Sequence, residues 1–319
     1  MTFELITMGR VGVDLYPEQI GVRLADVRTF AKSLGGSATN VSVAAARLGV
    51  RSAVITKVGD DPFGPYVREA LEGFGVDPRW VGTHRTLRTP VVFCEIFPPD
   101  DFPLLFYREP TAPDMTIATE ELDLDAIRAA RVFWTTGTGL SAEPSRSATL
   151  AALAARDDAG PDAITVHDLD HRPMFWSDES EAGVWARRAL SHATVAVGNR
   201  DEVAVAVGTR DPNEASAALL DLGVRMAIVK QGPAGGLVRT ADGIAEVPPV
   251  EVEVVNGLGA GDAFGGALVY ALLNGVEPEP AVRVANAAGA YVAARLACAD
   301  EMPTLPELQA FAGEEALAS

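Results

Sequence analysis

The sequence predicts an α/β fold in three layers: a mostly parallel central sheet, helices on both of its faces, and a small antiparallel β lid. Short apolar, β-branched runs alternate with longer Ala-rich stretches along the 319 residues. This alternation is typical of βαβ units, whose parallel strands need helices on both faces. Two segments, 14–30 and 88–108, break the alternation and resemble short antiparallel pieces. Such pieces often cover a ligand site, although a plain extension of the sheet edge fits the pattern equally well.

The elements follow from the apolar pattern. Strands are expected where β-branched residues form short clusters, at residues 5–8, 53–58, 91–96, 132–135, 163–166, 194–197, 227–229 and 236–239. Helices are expected in the Ala-rich amphipathic stretches, at residues 38–48, 62–73, 145–155, 181–190, 201–207, 212–222, 261–273, 278–293 and 306–312. No linker or repeat separates these elements, so residues 1–319 are expected to form one domain with a small lid.

Composition argues against several classes of function. The chain has 44 acidic and 26 basic residues, and its net charge of −18 disfavours binding to nucleic acids and to anionic membranes. Its two cysteines, Cys94 and Cys298, are too few for a disulfide framework. No apolar run is long enough to span a bilayer, and the acidic N-terminus does not resemble a signal peptide. We therefore expect a cytoplasmic protein that binds neither nucleic acid nor membrane.

The most informative motif is Gly259-Ala260-Gly261-Asp262. An apolar run enters this turn and an Ala-rich helix follows it, so the first backbone N–H groups of the helix point outward and form an anion site. Asp262 stands at the mouth of that site, where its carboxylate can accept a proton from an attacking hydroxyl. Phosphoryl transfer requires mainly such positioning and charge stabilisation. Taken alone, Asp262 could equally be an ordinary helix cap, so the other motifs must decide.

A second motif, Gly35-Gly36-Ser37-Ala38-Thr39-Asn40, precedes the first long helix. The two motifs, in this order, resemble the ribokinase-like carbohydrate kinases of the phosphofructokinase-B type, and the resemblance covers residues 8–304. It implies a three-layer kinase fold, ATP as co-substrate and Mg²⁺ as cofactor. It also implies that Asp262 is the catalytic base and that Gly259, Ala260 and Gly261 form an anion hole. The sugar contacts that it implies are Asp14, Gly35, Gly36 and Asn40.

Two further segments resemble the nucleotide side of the family's site. Asn199-Arg200-Asp201-Glu202 matches an Asn-x-x-Glu element that organises the Mg²⁺ and phosphate region, which implies an indirect metal contact from Glu202. The same residues also form a possible capping box. Lys230 replaces the usual Thr of a Gly-rich ATP turn, and its residue type favours a surface location. The implied ATP-binding residues are Asn199, Lys230, Gly232, Gly235, Gly261 and Asn286.

One departure from the family concerns a monovalent cation. Many relatives have an Asp and a Thr in a potassium site just before the catalytic Asp, where this chain has Asn256 and Leu258. An amide and an apolar side chain are poor ligands for such a site. We therefore predict weak or absent activation by potassium.

The substrate is indicated by arginines. Arg108 and Arg172 lie in segments that resemble kinases of keto-deoxy sugar acids, although Asp170 stands where those enzymes more often have Asn. Arginine suits planar carboxylates and phosphates, so both arginines are predicted to bind the sugar acid. Four segments, 9–17, 93–101, 168–173 and 298–304, together resemble the 5-dehydro-2-deoxygluconokinase branch of the family.

That resemblance implies phosphorylation of 5-dehydro-2-deoxy-D-gluconate to its 6-phosphate in myo-inositol catabolism. It also implies a homodimer that pairs through the lid. The alternatives are 2-keto-3-deoxygluconate kinase, another sugar kinase of the family such as a ribokinase or fructokinase, or an inactive protein that only binds nucleotide or sugar. A Rossmann dehydrogenase is disfavoured, because its Gly-rich loop would follow the first strand.

Overall fold

The computed structural model describes residues 2–313. Within this range the strands are β1 (Leu5–Met8), β2 (Gly12–Pro17), β3 (Phe30–Gly35), β4 (Ser52–Gly59), β5 (Val76–Asp77), β6 (Val81–His84), β7 (Val91–Cys94), β8 (Leu104–Tyr107), β9 (Val132–Thr136), β10 (Ile164–Asp168), β11 (Val195–Asn199), β12 (Met226–Lys230), β13 (Gly236–Thr240) and β14 (Gly243–Val247). The α-helices are α1 (Ser37–Arg47), α2 (Phe63–Gly73), α3 (Leu124–Ala129), α4 (Ser145–Ala154), α5 (Glu179–Leu190), α6 (Arg200–Val207), α7 (Pro212–Asp221), α8 (Ala260–Leu273), α9 (Pro278–Ala293) and α10 (Leu305–Ala312).

The large sheet has the order β14-β13-β12-β11-β10-β9-β1-β4-β5, and β6 also pairs with β4. Its pairs are parallel from β12 to β5, and only the pairs β12–β13 and β13–β14, at one edge, are antiparallel. The predicted mostly parallel sheet is therefore confirmed. Because the parallel strands share one direction, the residues that follow β1, β9, β10 and β11 meet at the same end of the sheet, where the carboxyl ends of the strands lie.

Helices cover both faces of this sheet. The helices α1, α2, α8, α9 and α10 pack on one face, and α3 to α7 pack on the other. The contact between α1 and α8 is close because α8 carries glycine at two positions: a Cβ on Gly265 would lie 3.0 Å from Val41 Cγ2 on α1, and one on Gly266 would overlap Ala44. This packing fixes the position of α8 relative to α1.

A separate small sheet has the order β3-β2-β7-β8. The pairs β2–β3 and β7–β8 are antiparallel, as expected, but β2 and β7 join the two hairpins in parallel, with Val13 opposite Val91. The segments predicted to form the lid contain β7, β8 and most of β2, but only the first residue of β3. Two of those strands extend beyond the predicted segment, to Gly12 at one end and Gly35 at the other.

Several short elements have no counterpart among the predicted ones. The strands β5, β6 and β14 and the helix α3 are two to six residues long, and β14 is largely exposed, so it shows no apolar alternation. The long elements lie within about two residues of their predicted bounds, as helix and strand ends usually do. None of the helices within residues 2–313 is long and apolar enough to cross a membrane.

Candidate active site

A cleft opens where the small sheet meets the segment that follows β1 and the starts of α1 and α8. It measures about 520 Å³ including open solvent, and it has both charged and apolar walls. Ligands of open α/β sheets bind at the carboxyl ends of the strands, where this cleft lies. The predicted site residues that line it are Asp14, Gly36, Asn40, Arg172, Gly259 and Asp262.

The loop before α8 has the geometry of an anion site. Gly259 is the residue before the helix and adopts a left-handed φ of 80°. A Cβ at this position would overlap the sulfur of Cys298 and lie 2.8 Å from its Cβ, so only glycine fits. The N–H groups of the first helical turn, which include those of Ala260 and Gly261, have no partner inside the helix. They are therefore available to an anion at the mouth of the cleft.

Asp262 lies in that first turn and faces the cleft. Its Oδ2 accepts a hydrogen bond of 2.8 Å from Asn40 Nδ2. Burial raises the pKa of Asp262 to about 6; the Asn40 bond opposes the shift and the charge of Asp170 adds to it. At neutral pH the side chain is mainly a carboxylate, yet one basic enough to take a proton. Asn40 Oδ1 is buried and has no partner within residues 2–313, so it can accept from a bound hydroxyl.

Asp14 occupies the small-sheet side of the cleft, on β2. Burial raises its pKa to about 6, against a hydrogen bond from the Tyr16 hydroxyl, 3.2 Å from Asp14 Oδ2. A Cβ on Gly35 would overlap the Asp14 carboxylate. Gly35 thus makes room for Asp14 and is not among the residues that line the cleft, whereas Gly36 lines it with a φ of 104°.

The two predicted arginines have different surroundings. Arg172 lines the cleft, and its Nε lies 3.2 Å from Asp170 Oδ1. Arg108 is buried outside the cleft lining: its Nη2 donates to Asp114 Oδ1 at 2.7 Å, and its guanidinium carbon lies 5.3 Å from the Phe175 ring centroid. The structure therefore brings Arg172 to the other site residues but pairs Arg108 with its own carboxylate.

Sequence reasoning missed Arg10, which lines the cleft and is only 7% exposed. It lies two residues after β1, a central strand of the sheet, and that position was the available signal, because ligands bind beyond the carboxyl ends of such strands. Its Nη2 lies 3.3 Å from Asp170 Oδ2. One buried carboxylate thus sits between two arginines, Arg10 and Arg172.

Asp170 is held firmly in this position. It accepts hydrogen bonds from Ser37 Oγ at 2.6 Å and Thr138 Oγ1 at 3.1 Å. Burial alone would raise its pKa, but Arg10 and Arg172 outweigh that effect and hold the pKa at about 2. Its φ of 26° makes it the one non-glycine residue within residues 2–313 with positive φ, a strained conformation that often marks functional sites. Two guanidinium groups explain why a carboxylate, rather than an amide, stands here.

Lys230 is not a surface residue, contrary to the location that its residue type favours. Its side chain is 21% exposed, and its Nζ lies 3.8 Å from Asp168 Oδ1. A Cβ on Gly261 would lie 3.6 Å from the same Nζ, so the ammonium stands beside the start of α8. Burial lowers the pKa of Lys230, but Asp168, Glu202 and Asp262 outweigh this and raise it. Burial also raises the pKa of Asp168, to about 7, against the charge of Lys230.

The Asn199–Glu202 pair forms the capping box that the sequence allowed. Asn199 Oδ1 accepts from the backbone N of Glu202 at 2.9 Å, and Glu202 Oε2 accepts from the backbone N of Asn199 at 2.7 Å. Glu202 is buried near Lys230 and Asp168, so its side chain caps the helix and still lies on the phosphate side of the site. Its contact with a metal stays a prediction.

The residues predicted for ATP beyond Lys230 lie along the same edge. Gly232 and Gly235 have positive φ values of 56° and 87° in the turn between β12 and β13, and a Cβ on Gly235 would overlap the carbonyl of Val247. Asn286, on α9, donates from Nδ2 to the Pro248 carbonyl at 3.2 Å. None of these three residues is among those that line the cleft, and their roles in binding ATP stay predictions.

Asn256 stabilises the loop before Gly259 from its buried side. It is fully buried, donates from Nδ2 to the Leu296 carbonyl at 2.6 Å and accepts at Oδ1 from the Leu258 backbone N at 3.0 Å. An uncharged amide therefore joins two loops and uses both of its polar ends in doing so.

The carboxylates of the site suit a metal ion that arrives with phosphate groups. No group of three His, Cys, Asp or Glu side chains that could hold a metal occurs in residues 2–313. Mg²⁺ often binds through one or two carboxylates plus substrate phosphates and water. The buried pair Asp168 and Glu202, beside Lys230, offers this kind of donor set.

Comparisons with known proteins agree with this geometry. A sequence profile of the pfkB family carbohydrate kinases matches residues 3–305. The chain is 35% identical over 308 residues to a 5-dehydro-2-deoxygluconokinase of Photobacterium profundum, covering 94% of this chain and 92% of that protein. It is similar, with a TM-score of 0.80 and 26% identity, to the aminoimidazole riboside kinase of Salmonella enterica complexed with aminoimidazole riboside and an ATP analogue, covering 97% of this chain and 99% of that one. It shares the fold of a fructokinase of Xylella fastidiosa with bound ATP, with a TM-score of 0.85, 24% identity and coverage of 98% and 99%.

Proposed function

The chain belongs to the pfkB family of carbohydrate kinases and is an ATP-dependent sugar kinase, and on that premise we propose that its acceptor is a sugar acid, 5-dehydro-2-deoxy-D-gluconate. One observation carries the proposal: a single cleft contains a carboxylate with a raised pKa at an open helix N-terminus together with two arginines. The kinase from P. profundum named for this acid supports the choice. The product would be the 6-phosphate, and the pathway that uses it would be myo-inositol catabolism.

In the proposed reaction the sugar lies between Asp14 and Asn40, which bind its hydroxyl groups, with Gly36 allowing close approach of the backbone. Asp262 accepts the proton of the attacking 6-hydroxyl. The hydroxyl oxygen forms a bond to the γ-phosphorus while the bond from that phosphorus to the bridging oxygen breaks, and ADP leaves with the electron pair. The N–H groups of Gly259, Ala260 and Gly261 stabilise the charge on the transferred group.

We propose that Lys230 acts on the phosphates of ATP as a fixed positive charge, together with Arg172. Asn199, Gly232, Gly235, Gly261 and Asn286 complete the nucleotide site. Mg²⁺, when bound with ATP, would neutralise phosphate charge, and Glu202 would hold it indirectly through water. The raised pKa of Lys230 supports this role, because the ammonium keeps its charge at neutral pH.

We also propose that the chain is one domain whose small sheet serves as the lid. Val92, Leu104 and Phe106 line the cleft from this sheet, so its closure would exclude water from the reaction. On the outer side Leu105 and Tyr107 are 45% and 61% exposed, which supports pairing of two lids in a homodimer. The free thiols of both cysteines are compatible with the cytoplasm.

The test is a coupled assay of ADP release with 5-dehydro-2-deoxygluconate, 2-keto-3-deoxygluconate, ribose and fructose as acceptors. The proposal predicts the highest kcat/KM for 5-dehydro-2-deoxygluconate. A higher value for 2-keto-3-deoxygluconate, or for a neutral sugar, would assign the chain to another specificity of the family. Binding of ATP and sugar without any ADP release would instead identify an inactive binding protein.

A further inference from the structure

We infer that Arg10 binds the carboxylate of the acceptor and so makes the site selective for sugar acids over neutral sugars. The inference rests on the proposed function, because it assumes an acidic acceptor in the cleft described above. It assigns a role to a residue that the sequence motifs left without one.

The hydrogen bonds of Arg10 leave one of its nitrogens unused. Its Nε donates to Thr138 Oγ1 at 3.1 Å, and its Nη2 to Ser37 Oγ at 3.2 Å and Asp170 Oδ2 at 3.3 Å. Its Nη1 has no hydrogen-bond partner among residues 2–313, although the residue is only 7% exposed and lines the cleft. A buried guanidinium with a free N–H edge at a ligand cleft is a site for an acceptor group.

The guanidinium is also fixed in orientation. Its central carbon lies 5.9 Å from the ring centroids of both Phe106 and Phe175. Phe106 belongs to β8 of the small sheet, and Phe175 follows Arg172 in the loop after β10. With three hydrogen bonds and two rings around it, the group meets a ligand already ordered, so little rotamer entropy is lost on binding.

The charge of this wall favours an anion. Arg10 and Arg172 share the single carboxylate of Asp170, so together the three groups carry one net positive charge. Asp14 and Asp262 also line the cleft, and the charge of Arg10 lowers the pKa of each, but their hydrogen bonds come from Tyr16 and Asn40 and not from Arg10. The free edge of Arg10 is thus open to a substrate carboxylate, which would form a charge-assisted hydrogen bond there, whereas a neutral sugar offers only hydroxyl groups.

The other arginines are less suited to this role. Arg108 already forms a buried ion pair with Asp114, and its guanidinium is not part of the cleft lining. Arg172 is 38% exposed, and its pKa is raised first by Asp170 and further by Glu202, Asp262 and Asp168. The proposed function assigns Arg172, with Lys230, to the phosphates of ATP, and the acidic residues that act on Arg172 also act on Lys230. That leaves Arg10 for the acid end of the sugar.

The test compares kcat/KM for 5-dehydro-2-deoxygluconate with that for fructose, a neutral sugar, in the wild type and in Arg10→Met. Loss of a charge-assisted hydrogen bond predicts a fall of about 10- to 100-fold for the acid, mainly through KM, so that the acid-to-neutral ratio falls by a similar factor. The KM for ATP is expected to stay unchanged. The double variant Arg10→Met, Asp170→Asn also removes the Asp170 carboxylate, which loses one partner in the single variant. If the Arg10→Met protein does not fold, Arg10→Lys, which keeps the positive charge, replaces it in the test.

Arg146→Met is the matched control, because Arg146 also pairs with a carboxylate, Glu181, and stacks on a ring, that of Trp185, but lies outside the cleft lining. Its acid-to-neutral ratio should equal that of the wild type. Equal losses on acid and fructose in the Arg10 variants, or a change of ratio in Arg108→Met but not in Arg10→Met, would overturn the inference alone. A wild type that phosphorylates no sugar acid would overturn the proposed function along with it.

Discussion

Replacement of Gly259 by Ala perturbs the anion loop in two ways. The residue has a φ of 80°, and an L-residue in the left-handed region costs about 1–2 kcal/mol. The new Cβ would also overlap the sulfur of Cys298 and lie 2.8 Å from its Cβ, and relief of such overpacking typically costs about 1–3 kcal/mol. Together the two effects predict a loss of about 2–5 kcal/mol in the free energy of unfolding.

This loss can be converted into a melting temperature. An unfolding entropy of about 2.1 cal/mol/K per residue gives about 0.7 kcal/mol/K for 319 residues, so Tm should fall by about 3–7 °C. The loop must also shift to accommodate the methyl group. A displacement of about 1 Å at a reacting centre can lower kcat by about 100-fold, so activity should fall further than stability suggests.

The measurement is thermal unfolding by circular dichroism together with steady-state ADP release. Gly261→Ala is the matched control for stability, because a Cβ there meets only Lys230 Nζ, at an ordinary 3.6 Å, and Gly261 has no positive φ. Its Tm should stay at or slightly above the wild-type value, since Ala favours a helix over Gly. A Gly259→Ala protein with wild-type Tm and kcat would refute the close contact with Cys298 and the role of the loop.

The charges of the site lead to further predictions. Because Asp262 must be ionised to act as a base and its pKa is raised to about 6, kcat/KM should rise with pH, reach half of its plateau near pH 6 and level off above that; a pH profile without that acidic limb would contradict the assignment. Replacing sodium by potassium at fixed ionic strength should leave kcat unchanged, because the Asn256 amide is already hydrogen-bonded at both ends; a several-fold rise would show that a cation site exists. Lys230→Met should lower kcat/KM for MgATP by about 100-fold, because it removes a positive charge at the start of α8. Near wild-type kcat and KM in this variant would show that Lys230 has only a structural role.

The long elements were predictable because their periodicity is strong. Helix α9 has the predicted bounds, and β1 does too, since each is a run of residues whose burial follows one simple pattern. The strand β14 was not predicted because it is an exposed edge strand, with little apolar surface to define its pattern. Parallel pairing of β2 with β7 was also beyond reach, because it joins segments that are distant in the sequence.

The candidate site was predictable where a residue's role depends on its neighbours in sequence, and not where it depends on the fold. Residues 259–262 form the expected turn and helix start. In contrast, the sequence favoured Arg108 as a ligand residue and gave no sign of its pairing with Asp114, because that pairing depends on how the loop after β8 folds back. Arg10 looked unremarkable because its partner Asp170 lies 160 residues later. Ion pairs that form only on folding decide which arginine faces the cleft, and no sequence motif shows them.

The role of Asp262 as the base is tested most directly by steady-state ADP release from 5-dehydro-2-deoxygluconate and ATP with the Asp262→Asn protein. The amide is close in size to the carboxylate. Since burial raises the pKa of Asp262, the folded state holds the charged form at a cost, and the neutral Asn should not lower Tm. We predict a fall in kcat of about 10²- to 10⁴-fold with unchanged Tm and ATP binding. A variant that folds, binds both substrates and keeps a kcat close to that of the wild type would contradict the assignment of Asp262 as the catalytic base.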